Sequence, residues 1–226
     1  MTKPPQNAGD ALSSTLRIPL LPDAVAKHLG ACRKGLADSV ALKEIPVFKW
    51  LAIADTGLRS YRDHLLVQKL LRFFHELREI PEPEREAFST RLDTDHAERE
   101  RIGEQLFLLL DRHDDMEKPS LLGLAWREYL RGKVTLDQFE RLARAIDRVH
   151  LPHLAHIGDL DMGFGRFRGE EAAALTDLLQ AGVIYPASVT GQLADELESR
   201  PSDAYHRTDI AHVLLALYDE HRGAPA

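Results

Sequence analysis

The sequence predicts a mainly α-helical protein, a multi-helix bundle followed by a small tail of mixed α and β structure. Between residues 61 and 155, apolar side chains recur at helical spacing, and short polar links separate the runs. In the last third, a helical run is followed by a short strand pattern and then by another helix. These observations predict a disordered N-terminal tail over 1–20, a helical bundle over 21–158 and, over 159–226, the small C-terminal domain of mixed α and β structure.

The first part of the chain carries less regular signals. Residues 1–20 are small and polar, which predicts a disordered tail. A helix is predicted over 22–40. Residues 45–54 have the highest apolar density in the chain and are predicted to form a buried helix. The alternative is an amphipathic segment at a membrane or partner surface, with Trp50 and Lys49 at its interface.

The bundle helices have recognisable starts and stops. A wide apolar stripe predicts a helix over 61–77. Asp95 and Thr135 each precede a Glu or Gln by three positions, the pattern of a capping box at a helix start. Gly132 is predicted to close the helix before it. The core is predicted to depend on five buried side chains from these helices, Phe73, Leu106, Leu110, Leu122 and Ile146.

Charge and cysteine content restrict the function. Residues 151–226 hold twelve Asp and Glu against five Lys and Arg, so this part carries the whole net charge of −7. An acidic surface repels phosphate, so a nucleic-acid partner is not expected. The lone cysteine, Cys32, excludes an internal disulfide framework. No signal sequence or long apolar run is present, and a cytoplasmic location is predicted.

Histidine and aspartate residues near the domain limit resemble metal ligands. His150, His153 and His156 are spaced by three residues, and Asp159 follows. Two such histidines on one helix face can chelate a metal, which makes His150, His153 and Asp159 the candidate ligands. On an α-helix the third histidine rotates off the face, so a polar surface is favoured. Residues 159–170 also imitate a calcium loop but lack its central glycine.

A glycine-rich segment over 163–169 interleaves arginine with aromatic residues. Such a loop can stack a base or hold a phosphate, but an ordinary interdomain loop is the favoured interpretation. The candidate binding residues are Trp50, Phe164, Arg166, Phe167 and Arg168. The acidic run over 111–117 is predicted to serve turns and helix caps. No phosphate-binding loop, dinucleotide fingerprint or nucleophile motif is present, which predicts neither an enzyme nor a cofactor.

Two resemblances add to this reading. The tail order, with a helix over 170–181, a strand over 182–185 and a last helix over 209–220, resembles the second half of a winged helix. Three segments, at 45–63, 108–118 and 132–142, resemble an uncharacterised group of bacterial proteins with a helical core and a winged-helix-like tail. The resemblance covers residues 45 to 220. It implies a bacterial accessory or phage-defence context and brings no activity with it.

The sequence therefore predicts a non-enzymatic helical protein that binds or regulates a protein partner. One alternative is a winged-helix DNA-binding regulator. Its recognition helix over 170–180 has no Lys or Arg, which disfavours it. The other alternative is a hydrolase with a His and Asp metal site. Peripheral membrane contact is disfavoured, and no oligomeric state is predicted.

Overall fold

The computed structural model describes residues 5–19, 21–29, 42, 44–54, 61–157, 170–186 and 205–223. They belong to two compact units, Met1–Val134 and Thr135–Ala226. The chain is mainly helical, as predicted, and the strands among the described residues form one antiparallel pair. The predicted domain limits differ from this division and remain a prediction.

Helix α7 is the centre of the first unit. The described helices of this unit are α1 Ala8–Leu16, α2 Leu21–Leu29, α3 Pro46–Ala54, α4 Tyr61–His75, α5 Glu82–Thr94, α6 His96–Arg112 and α7 Lys118–Leu130. Every residue of α7 is buried, and α4 and α5 pack on it. The predicted burial is confirmed for the side chains of Phe73, Leu106, Leu110 and Leu122.

The predicted helix ends follow from local hydrogen bonds. Asp95 caps α6, and its side chain accepts the N–H of Glu98 at 2.9 Å. The Glu98 carboxylate accepts a hydrogen bond from the Tyr129 hydroxyl at 3.1 Å, so Glu98 ties two helices together. Gly132 follows α7 with a φ of +72°, a conformation that glycine adopts without strain.

Residues 8–16 form helix α1, so the prediction of a disordered tail over 1–20 is wrong for this stretch. The Asn7 side chain caps the helix by accepting the N–H of Asp10 at 2.8 Å. Leu12 and Leu16 are buried, and α1 packs on α3, α5 and α6. The short apolar stripe of α1 is sufficient because neighbouring helices cover it.

Two glycines allow α1 and α6 to approach closely. A Cβ atom added to Gly103 would lie 2.3 Å from the backbone nitrogen of Gly9, and one added to Gly9 would lie 2.4 Å from the carbonyl oxygen of Arg99. Real Cβ atoms do not approach backbone so closely. Any side chain at these positions therefore forces the two helices apart.

Gly103→Ala is expected to lower the free energy of unfolding by about 1 to 3 kcal/mol, the usual cost of overpacking. The reason is that α1 has to shift or detach from α6. Urea unfolding and proteolysis of the N-terminal segment measure the two effects. Gly223→Ala is the control, because nothing lies within 4 Å of a Cβ at that position. Equal stability of both variants would mean that α1 does not pack on α6.

Residues 46–54 form helix α3, and the burial predicted for residues 45–54 is confirmed in part. Phe48 and Leu51 are covered, and α3 packs on α1. Trp50 is only half-buried. Its ring lies against Phe107 of α6, with centroids 5.0 Å apart. Of the helix predicted over 22–40, the first part is α2, and the rest lies outside the described residues.

The second unit combines helices with a small β-ribbon. Its described elements are α8 Leu136–Arg148, a 3-10 helix Leu151–Ile157, α9 Glu170–Gln180, β1 Ile184–Pro186, β2 Tyr205–Arg207 and α10 Asp209–Gly223. Thr135 and Gln138 form the predicted capping box at the start of α8. Ile146 is buried, as predicted.

The β-ribbon is antiparallel, with Tyr185 opposite His206. Thr208 joins the ribbon to α10, because its backbone N–H donates to the carbonyl oxygen of Val183 at 2.9 Å. Helix α10 packs on α8, on the 3-10 helix and on β2. Arg141 of α8 and Asp209 of α10 form an ion pair at 2.6 Å. The hydrogen bond from the Arg141 side chain is the main cause that lowers the pKa of Asp209.

Candidate functional site

A small open pocket of about 220 Å³ is lined by residues of α1, α5 and α6. Its charged side chains are Asp10, Arg17, Asp93 and Arg99. Arg99 pairs with Asp10 and with Asp93, each at 2.7 Å, and Arg17 also pairs with Asp93. Two arginines balance two aspartates, so the pocket offers no net charge to an ionic ligand.

The hydroxyl group of Ser13 in this pocket is part of a hydrogen-bond network. It donates to Asp93 at 2.9 Å and lies 2.7 Å from the hydroxyl of Ser89. Burial alone raises the pKa of Asp93, but hydrogen bonds from Arg99, Arg17 and Ser13 outweigh it and hold the pKa below its usual value. A carboxylate with a lowered pKa is a weak base. The network therefore serves to join α1 to α5 and α6.

The histidines at 150, 153 and 156 are arranged by a 3-10 helix. This helix covers Leu151–Ile157 and has about 3 residues per turn, so positions three apart line up along one edge. Leu151, Leu154 and Ile157 form its buried edge. An α-helix, as predicted from the sequence, would carry His156 away from the other two histidines. The observed helix type instead places His153 and His156 on one edge.

Asp177 of α9 connects this edge to the rest of the second unit. Its Oδ2 atom accepts the backbone N–H of His150 at 2.7 Å and lies 3.0 Å from Nδ1 of His153. The rings of His150 and His153 are 4.8 Å apart at their centroids. Among the residues that the structure describes, no three His, Cys, Asp or Glu side chains form a metal-binding group. Asp177 thus anchors the 3-10 helix to α9.

Several predicted site residues lie outside the described part of the chain, namely Asp159, Phe164, Arg166, Phe167 and Arg168. Residues 159–169 of the calcium-like loop lie outside it as well. The acidic run at 111–117 serves a turn, as predicted, but α7 begins at Lys118 without a side-chain cap hydrogen bond from Glu117. Asp111 forms an ion pair with Arg62, and Asp115 accepts the N–H of Glu117 at 2.8 Å.

An apolar surface lies where α3 meets α6. We call it the Leu108 patch and define it as Trp50, Phe107 and Leu108. Leu108 is 71% exposed, the highest value among the large apolar side chains in the described ranges. Phe107 and Trp50 are half-buried and contact each other edge to face, with ring planes at 64°. A rigid aromatic pair beside an exposed leucine is typical of the centre of a protein interface.

Trp50 is one of the candidate binding residues predicted from the sequence, whereas Leu108 is not. The helical phase of α6 contains the signal that identifies Leu108 as an exposed residue. The buried residues of this helix are Ile102, Gly103, Leu106, Leu109 and Leu110. Leu108 falls on the opposite side, together with Arg101, Glu104 and Arg112, which are all exposed. A leucine out of phase with its own buried stripe indicates an outward-facing apolar group.

In comparisons with models of known protein families, with curated proteins and with solved structures, nothing matches this chain. The resemblance to a bacterial helical group is therefore still a prediction. Among the described helices, none has the length and apolar character that a membrane crossing requires.

Proposed function

We propose that this chain is a non-enzymatic helical protein that acts by binding a protein partner through the Leu108 patch. The 71% exposure of Leu108 next to the Trp50–Phe107 pair is the observation that supports it most directly. Burying apolar area of this kind stabilises association, and tryptophan is enriched among residues that dominate binding energy. The bacterial accessory or phage-defence context comes from the sequence resemblance, and a cytoplasmic location belongs to the same proposal.

The environment of the patch favours a protein partner over a lipid surface. Exposed charged groups of both signs, Arg101, Glu104 and Arg112, share the outer side of α6 with Leu108. An interfacial membrane helix instead combines a broad apolar face with an excess of cationic groups. A small apolar centre with a mixed polar rim is the composition of protein interfaces.

The proposal predicts site-specific crosslinking. A photo-crosslinking benzoylphenylalanine placed at Leu108 is expected to give a discrete adduct of defined mass in cells, because the partner covers this position. Trp50→Ala in the same chain should remove the adduct, since the indole supports the patch. The control is the same probe at Asp137, whose side chain is 77% exposed. The same adducts at both positions, or an adduct unaffected by Trp50→Ala, would contradict the proposal.

A winged-helix-like tail is a second proposal for the fold of the last unit. The order of α9, the antiparallel β1–β2 ribbon and α10 supports it. We do not extend it to duplex DNA. Helix α9 contains no Lys or Arg, and its Asp177 is engaged with His150 and His153. A recognition helix normally presents basic and amide side chains to the bases.

A further inference from the structure

The outer side of α6 is a continuous exposed surface. Arg101, Glu104, Leu108 and Arg112 are all exposed, and successive members of this set are separated by three or four residues, so they line up along one side of the helix. We call this set the α6 outer face. The opposite side packs against the core of the unit through Ile102, Leu106 and Leu110.

The two charges nearest to Leu108 on the α6 outer face, those of Glu104 and Arg112, have opposite sign. Glu104 precedes Leu108 by four residues, and Arg112 follows it by four. In an antiparallel pair of α6 helices centred on Leu108, the negative group of one helix therefore lies opposite the positive group of the other. The pattern is complementary to its own reverse.

We propose that the partner that fits this face is a second copy of the chain, docked antiparallel about a two-fold axis through Leu108. This inference rests on the proposed function of the Leu108 patch. A two-fold axis brings the same patch of both copies together. Leu108 then meets Leu108 of the second copy, and each Glu104 faces Arg112 of the other copy. A parallel arrangement would instead place Glu104 against Glu104, which is repulsive.

The Leu108 patch supplies the apolar centre of this interface. Trp50 and Phe107 lie edge to face at 5.0 Å, and Phe107 precedes Leu108 on the same helix. One exposed leucine and two half-buried rings are a small apolar centre compared with stable dimers, which bury at least about 1,200 Å² in total. We therefore expect a reversible, concentration-dependent dimer whose pairing depends strongly on the two Glu104–Arg112 contacts.

Sedimentation equilibrium tests the inference on the full chain. The parent, of 25.4 kDa, is expected to approach twice that mass as concentration rises. Glu104→Arg alone gives Arg against Arg at both contacts, and Arg112→Glu alone gives Glu against Glu. Each single variant should raise the dissociation constant about tenfold or more. Glu86→Arg is the control, because this exposed glutamate lies on α5 and carries the same charge change.

The two single variants have complementary charges and should rescue each other. An equimolar mixture of Glu104→Arg and Arg112→Glu places opposite charges at both contacts of the mixed pair. It should dimerise like the parent, and so should the double variant. A parent that stays monomeric, or a mixture that associates no better than either variant alone, overturns the inference. If the crosslink from position 108 then reaches a different protein, the proposed function stands without self-association. If it reaches nothing, both fail.

Discussion

Replacing Trp126 by alanine is expected to lower the free energy of unfolding by about 3 to 5 kcal/mol. The Trp126 side chain is fully buried. Its ring centroid lies 5.4 Å from those of Phe88 and Tyr129 and 6.3 Å from that of Phe73. Removing the indole leaves a cavity among rings from α4, α5 and α7, and close-packed neighbours relax only partly into such a space. Urea unfolding followed by circular dichroism measures the loss.

The second tryptophan provides a matched comparison. Trp50 is half-buried on α3 and contacts the ring of Phe107, so Trp50→Ala should cost clearly less than Trp126→Ala. Trp126→Phe keeps one ring in the cluster and should recover part of the stability. If Trp126→Ala unfolds at the same urea concentration as the parent, the indole is not part of the core.

The regular part of the fold follows directly from the sequence. Phe73, Leu106 and Ile146 are all buried, because each lies on an apolar stripe long enough to define a helix face by itself. The Thr135 capping box is also a local signal, since both of its hydrogen bonds join residues three apart. Features encoded within one helix can be predicted without knowing its neighbours.

Helix α1 could not be predicted in this way because its stabilising contacts are distant in sequence. Ser13 bonds to Asp93, and Thr15 accepts the backbone N–H of Val47 at 3.0 Å. Gly9, which on its own indicates flexibility, fits against Gly103 of α6. The sequence of this polar, glycine-containing segment therefore predicts disorder, because the helices that cover it are distant in sequence.

The candidate site could not be predicted in full because it depends on the type of one helix and on the phase of another. On an α-helix the histidine spacing separates His156 from the other two histidines. Residues 151–157 instead form a 3-10 helix, which places His153 and His156 on one edge. Leu108 was one leucine within an apolar run. Only the boundaries and phase of α6 show that it faces outward, with 71% of its surface exposed.

His113 is the buried group with the largest consequence for pH dependence. It follows α6, and its backbone N–H donates to the carbonyl oxygen of Leu109 at 3.0 Å. A helix C-terminus normally favours a protonated histidine. Here burial is the main cause that lowers the pKa of His113 from 6.5 to about 4, and the positive charges of Lys118, Lys69 and Arg112 act in the same direction against a smaller effect of Asp114.

The first unit is therefore expected to lose stability as the pH falls from 6.5 to about 4. In this interval unfolded His113 takes up a proton that the folded chain does not bind, so acid favours unfolding by up to about 3 kcal/mol.

Tryptophan fluorescence follows this unit alone, because Trp50 and Trp126 both belong to it. His113→Gln should flatten the dependence, leaving the smaller contributions of His28 and His75, whose pKa values are also lowered. His96→Gln, at an exposed position, should leave it unchanged. An identical pH profile for the parent and His113→Gln would rule out His113 as its source.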